Sequence, residues 1–137
     1  MDKLTEQLIR HEGLRLKPYK CTAGKTTIGV GRNLDDRGIT AEEATMLLEN
    51  DIEVSKKDLI SLFPIVASVS QPRREALINM CFNLGINRLS RFRKMWAAIA
   101  NDDWDSASKE ALDSMWARQV GRRATELAEQ LRTGSYQ

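Results

Sequence analysis

The chain has 137 residues, of which 42% are hydrophobic and 29% are charged, and its formal net charge is +2. This apolar content is sufficient for a core and too high for a disordered chain. The nearly balanced charge argues against a dedicated nucleic-acid-binding protein, and the length favours one domain, with room for two lobes that share a core.

The first half of the chain begins with a predicted helix and continues into a β region. Apolar residues on one helical face predict a helix over residues 2–12. Residues 14–34 have strand-like composition punctuated by glycines, and they are the only convincing β segment, so the sheet is expected to be small. Thr40 and Glu43 have the spacing of a capping box, and the helical pattern that follows is expected to end near Pro64.

The second half is predicted to be helical throughout. The run from Gln71 to Gly85 is apolar on most sides and predicts a buried central helix. Shorter helices are expected around residues 92–100, 103–113 and 116–132. The sequence therefore predicts an α+β protein.

The expected architecture is a small antiparallel β lobe and a larger helical lobe with a cleft between them. The β lobe is assigned to about 14–36 and the helical lobe to 1–12 and about 37–137, within a single domain over residues 1–137. Junctions between lobes are favoured places for ligand sites. We therefore expect the functional residues to face this cleft.

The two cysteines differ in their surroundings. Cys81 lies in an apolar run and is interpreted as a small core residue, whereas Cys21 lies in a polar turn that packing does not explain. Neither cysteine has CxxC spacing, and the single histidine, His11, cannot make a zinc site, so no metal or other cofactor is expected. The glycines of "GVG" at 29–31 lack a dinucleotide fingerprint, and they are expected to allow a turn or a close approach of the backbone.

The location of the protein is a further expectation from the sequence. The N-terminal stretch "MDKLTEQLIRHEG" has no apolar core of a signal peptide, and no apolar run approaches the ~20 residues that span a membrane. We therefore expect synthesis in the cytoplasm, no stable membrane association and a monomer. A nucleic-acid partner using the basic segment 116–132 is the less favoured reading because the net charge is nearly balanced.

Four segments together resemble the lysozymes of tailed phages, glycoside hydrolase family 24, over nearly the whole chain. They are "EGLRLKPYK" followed by "TTIGVG", "RREALINMCFNLG", "DDWDSASKEALDSMWARQVGRRA" and "LRTGSY". The catalytic motif of that family is a Glu, eight residues, an Asp, five residues and a Thr. Glu12, Cys21 and Thr27 keep this spacing, but a cysteine stands where family members usually carry aspartate. The region after "GVGR" is shorter than in the longest members.

The resemblance implies an endolysin with a lysozyme-like fold. Such an enzyme hydrolyses the β-1,4 bond between N-acetylmuramic acid and N-acetylglucosamine in peptidoglycan, and it lyses the host after a separate holin releases it from the host cytoplasm to the cell wall or periplasm. The resemblance also implies the roles of individual residues. These are Glu12 as general acid, Thr27 as the holder of the attacking water, Phe82 and Leu34 (or Asn33) as substrate contacts, Arg123 beside Glu12, and Gln119 as a supporting group.

Cys21 leaves two hypotheses open. A thiolate can replace the usual aspartate, by activating water or by attacking the sugar directly, and nearby Lys17, Lys20 or Lys25 would then favour its ionisation. Water activation predicts inversion at the anomeric carbon, and direct attack predicts retention. The rival hypothesis is a catalytically weak or inactive murein-binding domain.

Overall fold

The computed structural model describes all 137 residues and confirms the α+β class. It contains eight α-helices, one short 3₁₀ helix and one three-stranded antiparallel sheet. Its internal contacts divide the chain into two compact units, Met1–Leu47 and Leu48–Gln137, and helix α2 (Ala41–Leu62) runs through the boundary. None of the helices combines the length and apolar character that a membrane crossing requires. The assignment of one domain and its lobe limits stays a prediction.

The first unit combines one helix with the sheet. Helix α1 (Lys3–Glu12) begins after Asp2, whose side chain accepts a hydrogen bond from the Thr5 N–H, and it ends at Gly13. The strands are β1 (Arg15–Lys20), β2 (Thr26–Gly29) and β3 (Arg32–Asn33), in the order β1-β2-β3. In the register of the first hairpin, Tyr19 pairs with Thr27 and Lys20 with Thr26. The hairpin turn between these strands therefore contains Cys21.

The predicted capping box at the start of α2 is confirmed. The Glu43 N–H donates to Thr40 Oγ1 at 3.1 Å, and the Thr40 N–H donates to Glu43 Oε1 at 2.9 Å. Arg32 of β3 binds the Glu43 carboxylate through both terminal nitrogens, with Nη1 2.8 Å from Oε1 and Nη2 2.7 Å from Oε2. Its Nη1 also donates to the Gly38 carbonyl at 3.1 Å. Glu43 therefore ties the start of α2 to the edge strand of the sheet.

A glutamine at position 43 should destabilise the protein in a pH-dependent way. The Arg32 guanidinium, followed by the Thr40 N–H, lowers the pKa of Glu43 from 4.5 to about 2. A depressed carboxyl pKa contributes stability that is present above the unfolded-state value and is lost as the pH falls through the folded-state value. Thermal unfolding of Glu43→Gln should therefore occur at a lower temperature than that of the parent near neutral pH. The difference should shrink between pH 4.5 and about 2. Glu42→Gln, which removes a neighbouring charge outside these bonds, is the control, and equal Tm values for parent and E43Q at neutral pH would contradict the prediction.

The second unit is helical. It holds the end of α2, a 3₁₀ helix (Pro64–Ser68), α3 (Gln71–Leu84), α4 (Ile86–Leu89), α5 (Arg93–Ala100), α6 (Trp104–Leu112), α7 (Met115–Val120) and α8 (Arg122–Thr133). The central helix is confirmed as α3, which ends at Gly85 and buries Leu77 and Met80 completely. Cys81 is buried in the same core, as predicted.

The expectation of one helix over 116–132 is wrong. Gly121 has φ +60° and ψ −114°, and it separates α7 from α8. This backbone conformation is accessible to glycine and strained for other residues. The break changes the relation between Gln119 and Arg123, because the two residues lie on different helices rather than one turn apart on the same helix.

Candidate active site

Glu12, the predicted acid, is the last residue of α1 and lies over the turn between β2 and β3. A Cβ atom built on Gly31 would approach Glu12 Oε2 to 3.2 Å, so the carboxylate sits directly against the backbone of that glycine. Gly31 has φ +72°, which also favours glycine. The expectation that the "GVG" glycines allow a turn and a close approach is confirmed at Gly31. Glu12 itself is exposed.

Cys21 and Thr27 meet at one backbone carbonyl in the β1–β2 hairpin. The Cys21 N–H donates to the Lys25 carbonyl oxygen at 2.9 Å, and Thr27 Oγ1 donates to the same oxygen at 2.9 Å. Thr27 is buried, with 4% of its surface exposed, whereas Cys21 is half-buried. The structure therefore brings these two predicted residues together and leaves the thiol within reach of solvent.

The surroundings of Cys21 favour its thiolate form. The backbone N–H of Lys25, followed by that of Ala23, lowers the pKa of the thiol below its ordinary value, and desolvation opposes this effect. Hydrogen bonds to a charged form stabilise that form. The lysine side chains named from the sequence do not produce this shift. Lys20 Nζ donates to Thr26 Oγ1 at 2.7 Å, and Lys25 Nζ donates to Asp36 Oδ1 at 3.2 Å.

Leu34 follows β3 and is half-buried. Its N–H donates to the Thr26 carbonyl at 2.8 Å, which continues the pairing of β3 with β2. The next residue, Asp35, was not identified from the sequence, although its carboxylate accepts the Thr26 N–H at 2.7 Å. An Asp–Asp pair directly after a strand was the available signal, because such side chains often cap free backbone N–H groups.

Two of the other predicted residues share a pocket in the second unit. Phe82, 42% exposed, and Arg123 line a pocket of about 480 Å³ together with Asn79. The Arg123 guanidinium holds Asn79 Oδ1 through Nε at 3.1 Å and Nη2 at 2.7 Å. Gln119 lies exposed on α7 and does not line this pocket. The pairing of Arg123 with Glu12 joins residues of different units and stays a prediction.

The sequence model of the phage lysozyme family matches residues 9–132. This chain belongs to the phage lysozyme family. The match spans both units and includes every predicted site residue. The family is one of peptidoglycan-hydrolysing lysozymes.

Three relatives illustrate the range of proteins that this chain resembles. The pre-baseplate central spike protein of Enterobacteria phage T4 is 32% identical over 96% of this chain, which covers 28% of the spike protein. Probable T4-type lysozyme 1 of Dictyostelium discoideum is 28% identical over 98% of this chain and 96% of its own length. An endolysin of Acyrthosiphon pisum secondary endosymbiont phage 1 is 30% identical over 83% of this chain and 78% of its own length.

The alignments also show that some relatives carry residues that this chain lacks. The alignments with the spike protein and with the Dictyostelium lysozyme extend over 160 and 164 positions, which is more than the 137 residues of this chain. The shorter region after "GVGR" stays a prediction. The same fold therefore occurs both as nearly the whole of a protein and as a minor part of a much longer one.

Proposed function

We propose that this chain is a glycoside hydrolase of family 24 that cleaves the β-1,4 bond between N-acetylmuramic acid and N-acetylglucosamine in peptidoglycan. The observation that carries the proposal is the pairing of Cys21 and Thr27 on the Lys25 carbonyl, within a chain of the phage lysozyme family. This supports the proposal because the Cys21 backbone N–H and the Thr27 hydroxyl share one acceptor in the hairpin, and because the two residues have the sequence spacing from Glu12 that the family motif has.

Glu12 supplies the acid in this proposal. Glycoside cleavage needs a proton donor for the leaving oxygen and a second group for the anomeric carbon, where positive charge develops in the transition state. Glu12 is exposed and backed by Gly31, whose missing side chain leaves the carboxylate room against the sheet. Its carboxyl group is therefore accessible to a glycan oxygen.

Cys21 supplies the second group. As a thiolate it either takes a proton from the attacking water, or it displaces the leaving oxygen, which Glu12 protonates, and forms a thioglycoside that water then hydrolyses. The amides of Lys25 and Ala23 increase the thiolate population by lowering the pKa of Cys21. Thr27 holds the water for the first route, because its hydroxyl donates to the Lys25 carbonyl and keeps lone pairs free to accept a hydrogen bond.

Substrate contacts come from residues that the motif does not include. Phe82 offers an exposed aromatic ring to a sugar, and Leu34 offers an apolar contact next to the sheet. Arg123 and Gln119 are supporting polar groups in this proposal. No cofactor takes part in the proposed reaction.

The biological role that fits this chemistry is that of an endolysin. Relatives bearing that name occur in an Acyrthosiphon pisum symbiont phage and in Salmonella phage P22. In this role the enzyme is held in the host cytoplasm until a holin releases it, and it lyses the host by opening the cell wall. The net charge of +2 favours contact with an acidic polymer.

The direct test is digestion of purified peptidoglycan. We expect soluble fragments with new reducing ends at N-acetylmuramic acid, detected by mass spectrometry, and a fall in turbidity of chloroform-treated Gram-negative cells. NMR can identify which anomer of the product forms first, and this distinguishes water activation from direct attack. New reducing ends at N-acetylglucosamine would contradict the proposed bond specificity.

A second candidate is a murein-binding domain with little or no turnover, and Cys21 in place of the usual aspartate is the observation that favours it. This candidate predicts that the chain co-sediments with peptidoglycan while releasing no fragments, even at alkaline pH where the thiolate predominates. Fragment release at a rate proportional to enzyme concentration would exclude it.

A further inference from the structure

The peptide group between Lys25 and Thr26 makes hydrogen bonds at both of its ends. The Lys25 carbonyl and the Thr26 N–H belong to one peptide group, which is planar and rigid. On one side, the carbonyl oxygen accepts hydrogen bonds from both the Cys21 N–H and the Thr27 hydroxyl, each at 2.9 Å. On the other side, the N–H donates to Asp35 Oδ2 at 2.7 Å.

We propose that Asp35 is a positioning residue for Cys21 and Thr27, acting through the Lys25–Thr26 peptide group. Its carboxylate holds the N–H end of the group, and this sets the direction of the carbonyl at the opposite end. Only the catalytic meaning of this arrangement rests on the proposed function.

The ionised carboxylate of Asp35 makes a strong hydrogen bond to this peptide group. The Thr26 N–H, followed by the ammonium group of Lys20 and then other groups including Lys25, lowers the pKa of Asp35, so the carboxylate is ionised at neutral pH. A bond from a neutral donor to an ionised acceptor is stronger than one between neutral groups. Hydrogen bonds in series polarise one another, so a carboxylate on the N–H makes the Lys25 carbonyl a better acceptor.

The neighbouring contacts support the same peptide group. The Thr26 carbonyl accepts the Leu34 N–H at 2.8 Å. Asp36 binds Lys25 Nζ, and its other oxygen accepts Asn33 Nδ2 at 3.0 Å. The segment after β3 therefore holds the chain at residues 25 and 26 at several points, but only Asp35 binds the peptide group that carries the Cys21 and Thr27 contacts.

Loss of the Asp35 hydrogen bond and loss of the Asp35 negative charge are expected to shift the pKa of the Cys21 thiol in opposite directions. If the peptide group is released, the Cys21 backbone N–H and the Thr27 hydroxyl lose the orientation of their shared acceptor. The hairpin turn whose amides stabilise the thiolate is then less well fixed, and the thiolate is less favoured. If only a nearby anion is removed, the thiolate is more favoured. The pH dependence of Cys21 alkylation shows which of these two effects dominates when Asp35 is substituted.

The experiment measures the rate of iodoacetamide alkylation of Cys21 against pH in a Cys81→Ala background. Asp35→Ala should move the profile to higher pH and slow alkylation at neutral pH by roughly twofold to tenfold, the range of one hydrogen bond. Asp35→Asn, which removes the same charge but keeps an acceptor oxygen, should be alkylated faster than Asp35→Ala at each pH. Glu42→Gln, which removes a charge from the same unit, should match the parent.

A profile for Asp35→Ala that matches the parent, or that moves to lower pH, would overturn the proposal. Circular dichroism checks that the variants fold, and Asp35→Asn keeps the test open if the alanine variant does not. Alkylation needs no lytic activity. A parent protein that releases no peptidoglycan fragments would therefore refute the proposed function while the role of Asp35 was still being decided by the thiol profile.

Discussion

Glu12→Gln should abolish most lytic activity while leaving the fold intact. A positioned general acid typically contributes 10²- to 10⁴-fold, so the initial rate of turbidity loss should fall by roughly that factor. The glutamine keeps the shape of the side chain over Gly31 but cannot donate the proton. A negative charge at the C-terminus of a helix is unfavourable, so the Tm of the variant should equal or slightly exceed that of the parent.

The matched control for this prediction is Glu6→Gln. Glu6 lies in the first turn of the same helix, so its substitution removes an identical charge away from the site. The control should retain the parent rate of lysis. Lysis by Glu12→Gln at the parent rate would remove Glu12 from the chemistry and leave the proposed reaction without its acid.

Cys21→Ala should lower the lytic rate by roughly 10²- to 10³-fold, the usual cost of removing one group that stabilises transition-state charge. Cys21→Asp should remain active, because an aspartate restores the anion that the family motif carries. Alkylation of the parent with iodoacetamide should inactivate it by replacing an ionisable sulfur with a neutral group. Turbidity loss and mass spectrometry of the modified chain measure both effects.

Cys81→Ala is the control for the second cysteine. Cys81 is buried, and burial raises the pKa of its thiol, so alkylation should occur at Cys21 first. The Cys81→Ala protein should lyse cells at the parent rate and remain sensitive to iodoacetamide, whereas Cys21→Asp should be resistant. Full activity of the alkylated parent would exclude a catalytic thiolate.

The Cys21→Asp substitution should also change the pH dependence of lysis. The thiolate fraction of Cys21 rises with pH, and its lowered pKa moves that rise to lower pH than for an ordinary cysteine. The lytic rate of the parent should therefore increase from mildly acidic towards alkaline pH as the thiolate forms. Cys21→Asp should lack this increase, because an aspartate is ionised throughout that range. Identical pH profiles for the two proteins would contradict the thiolate assignment.

Much of the fold followed from local signals in the sequence. The capping box of Thr40 and Glu43, the end of the central helix at Gly85 and the burial of Cys81 are confirmed. Each depends on residues close together in the chain, where spacing and side-chain chemistry decide the outcome. The break at Gly121 was missed because a glycine inside a helical pattern is compatible with either a continuous or a broken helix.

The sequence by itself determined which chemical groups this chain contains and how they are spaced, since Glu12, Cys21 and Thr27 could be matched to a family motif. Only the tertiary structure decided what surrounds them. The close approach of Glu12 to Gly31, the shared Lys25 carbonyl and the Asp35 anchor all arise from strand register and turn geometry. The same dependence explains why backbone amides, rather than the lysine charges suggested by the sequence, favour the Cys21 thiolate. Hydrogen bonds act over about 3 Å in defined directions, and folding alone sets which groups meet at that range.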